Sequence, residues 1–326
     1  MPGMAIKSLP VRSVSLLISQ QWSAPRGVAS RGCIRGQSDA AFGPCRDCEL
    51  AFPPPCPILA PMIIRLLSLL LALAASPLSA QSGEVISARI LPGWRLADGS
   101  HMAGIEFTLA PGWKTYWRAP GDAGIPPQFD WRGSGNLAGV EVLWPRPRII
   151  DQAGLKSIGY KEKVTLPLHV KPRKSGGDVT LRGVVDLGVC EDICIPAQVE
   201  VSGLLDRATT RPDPRVAAAL AAQPLTAREA GLTHVSCQIT PAKDGMSITA
   251  RLTLPTTGGA ETVVMEAGNP LIWVAPAKAS RQGQSLTVQS YMTHVEGRPF
   301  AIDRSALRLT VLGASKAVDI QGCPAP

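Results

Sequence analysis

The sequence predicts an all-β chain of two β-sandwich domains joined by a partly helical linker. Three observations predict it. Short runs with β-branched and apolar residues recur between turn pairs such as Asp98-Gly99 and Pro111-Gly112. Long amphipathic helices do not alternate with these runs, which argues against a βαβ fold. One alanine-rich stretch interrupts the pattern, and strands resume after it.

In the first half, Val85–Arg95 alternates loosely and ends at Asp98-Gly99. His101–Leu109 follows, then Pro111-Gly112. Lys163–Val170 alternates but contains Pro167, which predicts an edge strand because proline cannot donate to a ladder. Val179–Gly188 is apolar and β-branched, and Gln198–Leu204 closes the set. Regularly spaced short strands of this kind predict a sandwich. Residues 206–231 read as the linker. Asp213-Pro214 starts a helix through Ala217–Leu220, and Pro224 breaks it. The second domain, 232–326, begins with His234–Pro241 and Met246–Leu254 around a turn at Lys243-Asp244-Gly245. Thr262–Glu266, Leu271–Ala275, Ser285–Gln289, Leu307–Leu312 and Lys316–Gln321 follow.

The N-terminal part belongs to neither sandwich. Met62–Arg65 is a short basic segment and Leu66–Ala75 an apolar run of about ten residues, too short to span a bilayer. Ser76–Ala80 then supplies small residues. Residues 62–80 therefore read as a secretory signal cleaved after Ala80, leaving a first domain of 81–205. Residues 1–61, rich in Pro, Gly, Arg and Ser, read as a non-native or disordered extension. Their Cys45-x2-Cys48 has no second Cys or His pair at zinc-site spacing.

The chain has 326 residues and a net charge of +8. Residues 1–80 hold seven Lys/Arg and three Asp/Glu, so the remainder is about +4 and lacks basic clusters. That argues against nucleic acid as a partner. No segment of the mature part is long and apolar enough to cross a membrane. Export to an oxidising compartment permits disulfides. Four cysteines remain there, at 190, 194, 237 and 323.

These four divide by spacing. Cys237 and Cys323 bracket the second domain, and a bond between them would close a loop of about 87 residues. The chain-entropy account gives such a loop about 4 kcal/mol, so a structural disulfide is expected. Cys190 and Cys194 are spaced Cys-x3-Cys with Pro196 nearby. Extended, positions i and i+4 lie about 13 Å apart, so Glu191–Ile193 must turn for the sulfurs to meet. A loop this short staples little. The pair is therefore the candidate catalytic centre, with metal binding and a plain structural bridge as the other readings. Glu191 and Asp192 lie between the two sulfurs, and local negative charge disfavours a thiolate. The residues thus predict thiols that are not unusually acidic. His101, His169, His234 and His294 are scattered, and no histidine can be assigned as a ligand. No cofactor or metal is expected.

Several stretches carry a family resemblance: Pro111–Trp131, Trp144–Arg148, Ile158–Leu168 and the segment around Cys190 and Cys194. In this order they resemble the N-terminal periplasmic domain of the thiol–disulfide interchange reductase DsbD and its relatives, including the suppressor-of-copper-sensitivity proteins. Residues 232–323 resemble, with weaker motifs, the second extracytoplasmic domain of the longer relatives. The resemblance implies an immunoglobulin-like sandwich whose cysteine pair takes electrons from a membrane partner and passes them to thioredoxin-like periplasmic proteins. Cys190 and Cys194 match that pair. The segment Ile150–Tyr160 falls where a loop caps the cysteines in the best-known members.

The departures set further expectations. The best-known members space these cysteines by five residues rather than three. Their capping aromatic has no clear counterpart; Leu155, Ile158 and Tyr160 are the candidates, with Tyr116 and Trp117 as further shields. The membrane domain usual in the family does not accompany this sequence, so the expected electron donor is a separate protein. Two other readings use the same fold region. Cys-x3-Cys followed by proline occurs in thioredoxin-like copper chaperones, and soft thiolates suit Cu(I). A non-catalytic binding sandwich is the third.

Overall fold

The computed structural model describes residues 85–121, 124–152 and 154–326. The expected extension, signal segment and cleavage point lie outside them. The described chain is almost entirely β, within one compact unit, Leu78–Pro326.

The first half is a sandwich of two sheets. One has the order β1 (Ile86–Arg95), β2 (His101–Leu109), β8 (Lys163–Pro172), β5 (Leu137–Val142). The other runs β10 (Cys194–Leu205), β9 (Val179–Cys190), β3 (Lys114–Gly121), β7 (Leu155–Lys161), β6 (Arg148–Gln152), with β4 (Gln128–Asp130) also on β9. Period-two alternation sends Val179, Leu181, Val185, Leu187 and Val189 of β9 inward. They meet Ile105 and Phe107 of β2 and Leu166 and Leu168 of β8 in one core.

Pro167 does not mark an edge. β8 lies between β2 and β5. The Pro167 carbonyl accepts from the Leu143 N–H at 2.8 Å, just past the end of β5. In an antiparallel strand a residue's N and C=O point to the same neighbour. The missing N–H therefore faces Leu143, just past the end of β5, and costs only the last bond of that ladder.

The linker contains α1 (Pro214–Ala221). Asp213 caps it by accepting from the Arg215 N–H at 2.9 Å, and Pro214 holds the first position, where no N–H is needed. Val216 packs with Leu91 and Met102 on the first sheet. Gly104 permits this approach, since a Cβ there would lie 2.8 Å from Val216 Cγ2.

The second half is another sandwich. One sheet has the order β11 (Leu225–Thr226), β19 (Ala317–Gln321), β18 (Arg308–Leu312), β14 (Thr262–Glu266). The other runs β12 (His234–Ala242), β13 (Gly245–Thr253), β17 (Ser285–His294), β15 (Ile272–Val274), with β16 (Lys278–Gln282) also on β17. The β14–β18–β19 sheet uses both faces. Val263, Met265, Leu309, Val311, Val318 and Ile320 enter the second core. The alternate residues turn to the first sandwich, where Leu312 and Ala317 join its core. Arg118 of β3 crosses this junction. It donates to Glu266 (Nη2–Oε2 3.0 Å) and Thr310 (3.1 Å), lies 3.7 Å from Asp319, and covers the Trp117 ring at 3.8 Å.

The described residues contain no βαβ unit, so the thioredoxin-like scaffold of the copper-chaperone reading is not present in them. No helix among them is long and apolar enough to cross a membrane.

Candidate functional site

Cys190 ends β9 and Cys194 begins β10, and the two are register partners across the hairpin. Glu191–Ile193 make the turn that the spacing required. The Cα atoms stand 4.1 Å apart and the sulfurs are bonded.

The two sulfurs belong to different environments. On β9 the odd-numbered residues face the sandwich core, so Gly188 and Cys190 face away from it. An outer-face residue should be exposed, yet Cys190 is only 1% exposed. Local cover buries it. Lys114 of β3 is the direct cross-strand partner of Cys190, on the same face. Tyr116, two residues on, shares that face, and its ring packs over Gly188, where a Cβ would meet it at 2.9 Å. The chain beyond β3 folds back on the same spot. Ile125 O accepts from the Gly188 N–H at 3.3 Å, and a Cβ on Gly124 would lie 2.6 Å from the tyrosine ring. Both glycines are thus needed for the Tyr116 slot. Thr115 Oγ1 donates to Gly188 O at 2.9 Å and fixes β3 against β9.

Cys194 is exposed. The Tyr116 hydroxyl lies 2.9 Å from its Sγ. A disulfide sulfur carries no proton, so the hydroxyl donates. Burial raises the Tyr116 pKa, which keeps the donor protonated. Exposed isoleucines flank Cys194, Ile193 at 75% exposure with Ile195 and Ile125 also exposed, beside the acidic turn residues Glu191 and Asp192.

Among the cap and shield candidates, Tyr116 is the side chain that meets the sulfur. Ile158 and Tyr160 are core residues. Tyr160 is level with Thr115 and Val189, on the face opposite Tyr116, and its hydroxyl donates to Pro145 O at 2.7 Å. Trp117 is likewise in the core, beneath Arg118, and its Nε1 has no partner among the described residues. Leu155 is exposed at the start of β7, six residues along the strand from Lys161. The expected cap segment therefore contributes core side chains at Ile158 and Tyr160, because the strand pleat turns them inward.

Charged residues approach the pair from two elements. Glu191 and Asp192 are exposed at the turn, and the Glu191 carboxylate lies beside Gly112, where a Cβ would be 2.7 Å from Oε1. The residue level with the buried sulfur is instead a lysine 76 positions earlier. Sequence reading missed Lys114 and the loop at Gly124–Ile125. Only strand register brings Lys114 beside Cys190, and the spacing of neither motif encodes that register.

Cys237 and Cys323 are also bonded, with Cα atoms 5.5 Å apart, and both are buried in the second core. Their surroundings are backbone clamps. Cys237 N donates to Pro324 O at 2.7 Å, Cys323 N to Arg304 O at 2.8 Å, and Arg304 Nη1 to Cys237 O at 2.6 Å. Among the described residues no group of three or more His, Cys, Asp or Glu could hold a metal ion. A cavity of about 770 Å³ opens elsewhere, lined by Arg146, Arg148 and Lys316 among others, and includes none of the residues around the Cys190–Cys194 bond.

Residues 87–206 match the model of a family described as thiol:disulfide interchange protein DsbD, N-terminal. The chain carries a DsbD N-terminal-type domain. The likeness covers those residues and is to a family named for thiol–disulfide interchange. The described fold is similar to the crystal structure of the N-terminal periplasmic domain of ScsB from Proteus mirabilis, with a TM-score of 0.54 and 23% identity. The match covers 74% of this chain and 92% of that one, a larger share than residues 87–206 alone. The shared fold therefore extends past the DsbD-type domain into the second half. No curated protein sequence matches the chain.

Proposed function

We propose that this is an exported, periplasmic thiol–disulfide exchange protein that relays electrons through Cys190 and Cys194. The partners fitting the family are a separate membrane electron donor and thioredoxin-like periplasmic proteins. The observation that carries this reading is the asymmetry of one bond: Cys194 is exposed beside exposed isoleucines, while Cys190 is buried. An incoming thiolate can reach the exposed Cys194, and Cys190 is then the leaving sulfur. A thiolate of a reduced partner attacks Cys194 Sγ. The Cys190–Cys194 bond breaks, and its electron pair goes to Cys190 Sγ. The partner's second thiolate then attacks its own sulfur and releases Cys194. The partner leaves as a disulfide and this chain holds two thiols.

The exposed isoleucines suit an apolar rim around a partner's active-site cysteine. Structural stapling is a weaker reading for this pair. The chain-entropy account gives a five-residue loop about 2 kcal/mol, against between 4 and 5 kcal/mol, roughly, for the Cys237–Cys323 loop.

The test is partner trapping in the periplasm. Cys190→Ser leaves the exposed sulfur and should accumulate a mixed disulfide with a thioredoxin-like protein. Cys194→Ser leaves only the buried one and should trap far less. Equal trapping by both variants, or none by either, overturns the reading. So would a reduced protein that holds Cu(I) tightly and traps no partner.

A further inference from the structure

We propose that the cavity beside Arg146, Arg148 and Lys316 binds a small organic anion, one with a carboxylate head and an apolar body. None of the residues around the Cys190–Cys194 bond lines it, so this site stands apart from the exchange reading.

Its walls come from separate parts of the chain. The β5–β6 loop and the start of β6 bring Arg146 and Arg148, the end of α1 and the segment after it bring Ala222 and Leu225, and the β18–β19 turn brings Lys316. The volume, about 770 Å³, falls in the range of small-molecule sites, roughly 300–1,000 Å³. These walls are fastened to one another. Arg146 N donates to Ala222 O at 2.8 Å, and Arg146 Nη1 reaches across to Ser315 O at 2.6 Å. On the turn, Ser315 Oγ donates to Thr257 O at 2.6 Å and Ala314 N to Gly258 O at 2.8 Å. Gly313 is required there, since a Cβ would lie 2.2 Å from Thr257 Oγ1. A site held in shape before binding loses less freedom when it is filled.

The lining is one-sided in charge. It holds three cations, Arg146, Arg148 and Lys316, and among the described residues no aspartate or glutamate. Arg146 is committed to Ser315 O. The side chains of Arg148, exposed, and Lys316, half-buried, have no hydrogen bond or ion pair among the described residues. Acids near the lining in sequence are already paired, Glu261 with Arg281 and Asp319 with Arg308. The carbonyl end of α1 would repel an anion, and the Arg146 N–H meets it at Ala222 O. The anion therefore belongs beside Arg148 and Lys316, on the other walls.

The rest of the lining is largely apolar, with Ile149, Ala222, Leu225, Leu312 and Ala317. Apolar walls with a few charged groups are the makeup of a ligand pocket. An inorganic ion would leave those walls wet. An uncharged apolar molecule would leave Arg148 and Lys316 facing it without an acceptor. A carboxylate on an alkyl or aryl body satisfies both: its oxygens accept from the guanidinium and the ammonium, and its body displaces water from isoleucine and leucine.

Calorimetric titration of the whole chain with sodium octanoate tests this, with octanol and inorganic phosphate as comparisons. Octanoate should bind saturably at one site, about tenfold or more tighter than either comparison, the difference a charged hydrogen bond makes. Arg148→Gln with Lys316→Gln should weaken octanoate by about the same factor and bring it level with octanol. The melting temperature without ligand should stay as in wild type, since neither side chain holds another residue. Ala260→Trp, at an exposed lining position, keeps both cations and fills the space, and should weaken octanoate as strongly. No saturable octanoate binding, or binding that neither variant weakens, overturns the assignment. Phosphate bound as tightly as octanoate would show a bare anion site, and octanol bound as tightly would show an apolar crevice; either result overturns it as well.

Discussion

The two disulfides of this chain differ in almost every physical respect. Cys237 and Cys323 lie 86 positions apart, both buried, within a core and held by backbone hydrogen bonds on each side. Cys190 and Cys194 lie four positions apart at the end of a hairpin, one sulfur buried and one exposed. A long loop gives the first bond a large effect on the unfolded chain, and burial protects it from exchange. The second constrains a turn that the β9–β10 register already forms, and it presents a sulfur to solvent. Sequence separation and one-sided exposure together separate a bond suited to holding from one suited to exchange.

The largest expected effect tests the holding side. Cys237→Ser with Cys323→Ser should lower stability by up to about 4–5 kcal/mol in the chain-entropy account. Thermal and denaturant unfolding would measure it. The Cys190–Cys194 bond should keep its reduction behaviour in whatever fraction remains folded. A loss no greater than that caused by Cys190→Ser with Cys194→Ser would erase the contrast.

Next comes the junction between the two halves. Arg118 sits on β3, two residues beyond Tyr116, and its side chain is 12% exposed against Glu266, Thr310 and Asp319. Arg118→Leu leaves the partly buried Glu266 short of a cation, while Asp319 keeps Arg308. Removing one member of a buried pair costs about 3–5 kcal/mol; the partial exposure of Glu266 brings the expectation nearer 2–3 kcal/mol. Both halves should lose stability together, seen as one melting transition moved down. A loss confined to the first sandwich would mean that the halves are energetically separate and that the comparison is between independent domains.

Much of this was legible in the sequence, for definite reasons. Turn pairs and alternation carried the sandwich class, because a half-buried strand must repeat every two residues. Asp213 and Pro214 marked the helix start because their capping chemistry is local. The spacing of Cys190 and Cys194 required the turn that Glu191–Ile193 make. What stayed illegible depends on register between distant strands. Lys114 meets Cys190 across 76 positions. Tyr116 could be named as a shield but not told apart from Trp117, its neighbour on the opposite pleat. Pro167 pointed to an edge because a sequence does not show where the adjacent strand ends. Ile158 and Tyr160 fell in the expected cap segment, yet the pleat sends them into the core.

Acid should probe the first sandwich away from either disulfide. Glu106 is buried, which alone would raise its pKa, but Arg89 and Lys163 hold it below the ordinary value. A depressed carboxylate contributes stability that is fully present above its unfolded pKa, about 4, and is lost as pH falls through the folded one. Glu106→Gln should therefore cost about 1.5–3 kcal/mol near neutral pH, the range for hydrogen bonds to charged groups, less what its exposed partners recover from water. The difference from wild type should shrink below pH 4. A gap that stays constant down to pH 2 would show that the residue acts through packing rather than charge.

The smallest expected effect is the most specific to the exchange site. Tyr116→Phe removes one hydroxyl and keeps the ring in its slot against Gly188 and Gly124. The lost contact is the hydrogen bond to Cys194 Sγ. A neutral hydrogen bond contributes about 1 kcal/mol, roughly a fivefold change in a rate or equilibrium. In the proposed exchange Cys194 is first the sulfur attacked and then the sulfur released. A donor held beside it stabilises the thiolate that departs when the mixed disulfide resolves. Without the hydroxyl, that intermediate should live about five times longer in stopped or quenched exchange with a dithiol partner. Attack itself should change less, because the charge then develops on Cys190. Unfolding should shift by no more than about 1 kcal/mol, and the Cys237–Cys323 bond should not respond at all. If resolution keeps its wild-type rate while stability falls, Tyr116 is a packing residue whose hydroxyl happens to meet a sulfur. The difference between the two disulfides would then rest on exposure and loop length alone.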